Sequence, residues 1–105
     1  MRLGYSLDDL EDLYLGTEQL LRRALDDQAP ERLHISMLVD EDRLELILGR
    51  FTSVALRCEV LAPVQAYDSV DLSHLLQRTM DEVSVIPHRD GSFDVVLIRR
   101  RRSTP

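Results

Sequence analysis

The chain has 105 residues, 30% of them charged and 44% hydrophobic, with 5% aromatic and no tryptophan. That size makes a single domain, 1–105, with one modest core, and so few aromatic rings leave no platform for stacking bases or sugars. A net charge of −6 argues against a general nucleic-acid binder, which needs a basic surface to neutralise phosphates.

All 13 basic residues are Arg, and most are scattered along the chain, which fits codon usage better than a selected anion site. Cys58 is the only cysteine. It excludes an intrachain disulfide, suits a reducing compartment, and reads as a buried structural thiol. No apolar run approaches the ~18 residues of a membrane span. The amino end is acidic and amphipathic rather than a basic leader, so a cytoplasmic protein without a membrane partner is expected.

Residues 7–28 carry Leu7, Leu10, Leu13, Tyr14, Leu20, Leu21, Ala24 and Leu25 at spacings of three and four, the mark of an amphipathic helix. Ser6 is a natural N-cap. Asp8, Asp9 and Glu11 put negative charge at the helix's positive end, and Pro30 stops the pattern. Leu33, Ile35 and Met37, then Leu44, Leu46 and Leu48, alternate about the turn Asp40-Glu41-Asp42, which predicts a hairpin. In residues 51–70, Val54, Leu56, Cys58 and Val60 have period two, which permits a strand, and Pro63 begins a loop. Residues 71–82 predict a second helix, with Leu72, Leu75, Leu76, Thr79 and Met80 on one face and Ser69 or Asp71 as cap. A closing hairpin follows, Val83–Ile86 and Phe93–Ile98 about Asp90-Gly91, and residues 99–105 read as a frayed tail. Two amphipathic helices on one face of a mostly antiparallel sheet make an α+β two-layer sandwich.

Two landmarks carry a resemblance: Leu7-Asp8-Asp9-Leu10-Glu11-Asp12-Leu13-Tyr14-Leu15 leading into the first helix, and Met80-Asp81-Glu82-Val83 before the last hairpin. With the elements between them they resemble the anti-sigma-factor serine kinases of the histidine-kinase-like ATPase superfamily. That resemblance implies a first helix supplying a catalytic Glu and a Mg²⁺-binding Asn. Here Gln19 and Arg23 fall at those positions, or Glu18 and Arg22 after a one-residue shift. A guanidinium has donors only and cannot ligate Mg²⁺. The adenine-reading Asp-x-Gly-x-Gly is replaced by Leu48-Gly49-Arg50-Phe51, and no Asp occurs between residues 43 and 67. The phosphate-binding Gly-x-Gly is replaced by Ser69-Val70-Asp71-Leu72-Ser73, where Asp71 would repel a phosphate. The family also carries a strand and a helix ahead of the first helix, and Met1 begins after them. Their absence would expose apolar surface and favour self-association.

The expectation is therefore a non-catalytic domain without a cofactor, acting on a protein partner: a sigma factor, an anti-sigma antagonist, or a second copy of itself. The ancestral groove should be partly filled by Phe51 and neighbouring aliphatic side chains, with Arg23 turned to solvent or an acidic residue. The competing expectations are a serine kinase with relaxed motifs that still binds ATP and Mg²⁺, supported by Glu18 and the Asp81-Glu82 pair, and an unrelated α+β interaction module. Paired catalytic work by Asp81 and Glu82 is disfavoured, because adjacent helical residues point apart.

Overall fold

The computed structural model describes residues 7–27, 32–61 and 72–100. Ser6, Pro30, Pro63, Ser69 and Asp71, invoked above as caps and breakers, lie outside them, as do residues 101–105. In chain order the elements are α1 (Leu7–Asp27), β1 (His34–Val39), β2 (Arg43–Phe51), α2 (Val54–Leu61), α3 (Leu72–Thr79), β3 (Glu82–Pro87) and β4 (Phe93–Arg100). The four strands form one antiparallel sheet in the order β1-β2-β4-β3. The helices cover one face of it, giving the two-layer α+β sandwich.

Each hairpin is set by an aspartate. Asp40 Oδ1 accepts from the backbone N–H of Asp42 at 2.7 Å and of Arg43 at 2.8 Å, an Asx turn that reverses the chain between β1 and β2. Asp90 Oδ1 accepts from Ser92 N at 3.0 Å and Ser92 Oγ at 2.6 Å, and Gly91 takes φ +89°, a left-handed conformation open to glycine.

Register decides which side chains meet the helices. Leu44, Leu46 and Leu48 of β2 lie opposite Arg99, Leu97 and Val95 of β4, and all six are buried. Phe51 pairs with Phe93 beyond an irregularity in the ladder, their ring centroids 5.8 Å apart and tilted by 46°. Burying each ring contributes about 1.5–3 kcal/mol. From above, α1 closes the core with Leu13, Leu20 and Ala24, α2 with Leu56 and Val60, and α3 with Leu72 and Leu76.

The segment with period two is a helix, not a strand. Ser53 Oγ accepts from Leu56 N at 3.0 Å, an N-cap that starts α2. Leu56 and Val60, four residues apart, turn inward, whereas Val54 and Cys58 turn outward. Cys58 is therefore exposed and not the buried thiol expected: the helical period moves it to the opposite side from Leu56. The described residues thus hold three helices where two were expected.

Arg99 and Arg100 are not a frayed tail. Arg99, next to last in β4, lies on the helix side with its side chain only 3% exposed. Its guanidinium donates to Asp9 at 3.1 Å, to Asp12 at 3.0 Å and to the Thr79 carbonyl at 3.1 Å. One side chain thereby joins the start of α1, the end of α3 and the end of β4. Arg100 N donates to Asp81 at 2.6 Å, and its guanidinium pairs with Glu82.

Candidate functional site

The positions at which the resemblance implies nucleotide chemistry do not converge. On α1, Arg22 pairs with Glu18 one turn earlier at 2.8 Å, on an exposed face. Gln19 between them is half-buried. Arg23 turns away and grips Glu59 of α2 with two donors, Nε to Oε2 at 3.0 Å and a second, shorter contact to Oε1. A pocket of about 200 Å³ opens beside this pair, lined by Arg23, Asp26, Ala55, Leu56 and Glu59. Among the described residues of its lining, one cation is matched against two carboxylates, a balance that gives no net attraction to a polyanion.

Gly49 and Arg50 belong to another neighbourhood. Gly49 is buried at the end of β2 against Asp94, whose carboxylate stands where a Cβ would project. Asp94 in turn meets His88 at 2.9 Å. Arg50 is exposed and 3.7 Å from Asp90 of the β3–β4 turn. The Ser92 hydrogen bonds, seconded by the nearby Arg50 charge, hold the Asp90 carboxyl below its ordinary value. Asp71 and the Ser73 side chain lie outside the described residues. Phe51 is fully buried in the core, and Leu72, at the start of α3, is buried with it.

Asp81 and Glu82 follow α3 and latch onto Arg100, as just described. With Val60, Leu61, Leu76, Gln77, Met80 and Val83 they rim a second pocket of about 420 Å³ between α2, α3 and β3.

A different surface is more extensive. The buried stripe of α1 is Asp9, Leu13, Gly16, Leu20 and Ala24. Gly16 faces Leu76 and Thr79 of α3 and Met80 just beyond it, and Arg23 reaches α2, so those helices lie along one flank of α1. At 3.6 residues per turn, Leu10, Tyr14, Leu21 and Leu25 project from the other flank. Since α2 and α3 pack over β3 at one edge of the sheet, that flank looks toward β1 at the other. Leu10, Tyr14 and Leu25 are exposed there. So is the whole of β1: Ile35, Met37 and Val39, paired with Leu48, Leu46 and Leu44 on the helix side, keep 53%, 52% and 44% of their surface. A monomer seldom leaves an apolar patch of this extent to water unless it binds something.

No protein-family model matches the chain, and no curated protein matches it. Among the described residues no helix is long and apolar enough to cross a membrane.

Arg23, expected to turn to solvent or an acidic residue, meets Glu59, a partner on another helix that the sequence does not name. Sequence reasoning missed the exposure of β1 and the Arg99 cluster. The first had a visible signal: Leu38 and Val39 break the alternation of that strand, so apolar residues fall on both its faces. The second had none, because Asp9 and Arg99 are 90 positions apart.

Proposed function

We propose that this chain is a non-catalytic regulatory domain of histidine-kinase-like ATPase ancestry, acting in transcriptional or stress signalling by binding a sigma factor or an anti-sigma antagonist, as its resemblance implies. The observation that carries the reading is the fate of Arg23. At the position of the family's metal ligand stands a guanidinium, and it is engaged by Glu59 of a neighbouring helix instead of being held open toward a ligand. The exposed apolar flank of α1 supplies the kind of surface a protein partner needs.

Two titrations test this. Calorimetry of the full chain with ATP and Mg²⁺ is expected to give no heat of binding, and micromolar affinity would overturn the non-catalytic reading. Purified sigma factors and their antagonists from the source organism, passed over the immobilised chain, are expected to yield at least one saturable partner. Failure of all of them would remove the anti-sigma reading while leaving the nucleotide result standing.

A further inference from the structure

We propose that β1 is the contact strand of a two-fold symmetric dimer, in which two copies join edge to edge, antiparallel, with the symmetry axis through Ser36. This assembly is independent of which protein the domain regulates.

The first ground is the character of the strand. Among the described residues β1 is paired only with β2, and none of them pairs with the backbone N–H and C=O groups of its outer edge. Protected edges carry charges, prolines or bulges. His34-Ile35-Ser36-Met37-Leu38-Val39 has no Asp, Glu, Lys, Arg or Pro and pairs with β2 without a bulge, and every residue in it is exposed.

The second ground is charge. In a two-fold pairing each residue meets its own symmetry mate or a near neighbour, so a charged strand would oppose like to like. β1 holds no Asp, Glu, Lys or Arg, and the residues just outside it differ in sign, Arg32 before it and Asp40 after it. Antiparallel pairing brings Arg32 of each copy to Asp40 of the other.

The third ground is register. Joining two sheets about an axis perpendicular to them keeps both helical layers on one side, so the two positions paired must point the same way. The helix-side row is Leu33, Ile35, Met37 and Val39. It maps onto itself completely only if the axis passes through Ser36, which sets Leu33 opposite Val39, Ile35 opposite Met37 and Arg32 opposite Asp40. The product is a continuous eight-stranded sheet whose apolar floor runs between the two α1 helices and their exposed Leu10 and Tyr14.

Sedimentation equilibrium of the full chain is expected to show a dimer at micromolar concentration. Ser36→Asp places two like charges face to face on the axis and is expected to raise the dissociation constant roughly tenfold or more, with the thermal midpoint of the monomer unchanged. In a Cys58→Ser background, Ser36→Cys is expected to give a covalent dimer on mild oxidation, whereas Leu38→Cys, which faces His34 of the other copy, should not. A monomer at all concentrations overturns the proposal, and with β1 amides slow to exchange it would mean that a segment of the chain itself covers the edge. A dimer indifferent to Ser36→Asp, or cross-linked equally through Leu38→Cys, would assign the contact elsewhere.

Discussion

Arg99 shows what one buried charge demands. Its guanidinium faces Asp9 and Asp12 and one carbonyl, with almost no access to water. Deleting such a cation takes the guanidinium from the buried Asp9 carboxylate, and breaking a buried pair of this kind costs about 3–5 kcal/mol. Arg99→Met is expected to lower urea stability by that amount, and adding Asp9→Asn should recover a large part of it. Equal losses in the single and double variants would show that the ion pair is not what holds the three ends together. Arg23 makes a contrasting case, because its pair with Glu59 is substantially exposed, and pairs of that kind contribute about 0–1 kcal/mol. Arg23→Asn should therefore leave stability nearly unchanged. It should also fail to confer Mg²⁺-dependent nucleotide binding, since no aspartate or glycine loop accompanies it; calorimetric binding by that variant would contradict the proposed function. The local half of this was legible in the sequence: Glu18 and Arg22 are one helical turn apart, and the pairing follows from spacing alone. The Arg99 cluster was not, because charged residues near a chain end read as solvated until the fold brings their partners to them.

Elements were legible in proportion to the length of their pattern. The 21 residues of α1 carry several turns of periodic leucines and were placed to within a residue. The 8 residues of α2 carry only two inward positions, and a four-residue spacing such as Leu56 to Val60 satisfies both a period of two and a period of 3.6. What distinguishes them is Ser53, a cap a strand does not need. Exposed Cys58 should accordingly react with a thiol reagent in the native state at close to the rate of the unfolded chain; strong protection would return it to the interior. Packing of α1 on α3 depends on Gly16, where a Cβ would stand 2.6 Å from Met80 Cε and 3.0 Å from Thr79 Oγ1. A methionine tip can move, and alanine gains about 1 kcal/mol of helix propensity over glycine, so Gly16→Ala should fall within about 1 kcal/mol of the parent. Gly16→Val adds bulk that cannot be absorbed and should cost about 2–3 kcal/mol in a denaturant titration. At the β1–β2 turn, the two backbone N–H donors from Arg43 and Asp42 hold the Asp40 carboxyl below its ordinary value of 3.8. Its contribution is complete above that value and is lost as pH falls through the lowered one. Asp40→Ala should therefore be less stable than the parent at neutral pH, with the difference closing below roughly pH 4.

At the scale of the whole molecule, the two-layer architecture followed from the order of periodic segments, whereas the open edge at β1 became visible only once the strand order placed it outermost. The same strand order gives the Arg99 junction a temporal meaning. Its partners Asp9 and Asp12 are made well before the guanidinium that neutralises them, 90 positions after Asp9, which belongs to β4, the inner strand that joins one hairpin to the other. While the ribosome is still producing β3, α1 has neither its cation nor the Val95 and Leu97 surface beneath it. A nascent chain halted at residue 90 should therefore be as protease-sensitive as an unfolded one, and one halted so that residue 100 has cleared the exit tunnel should be resistant. This small domain would be completed in a single late step instead of accumulating piece by piece, and until that step its leucine-rich first helix is available to whatever chaperone stands nearest.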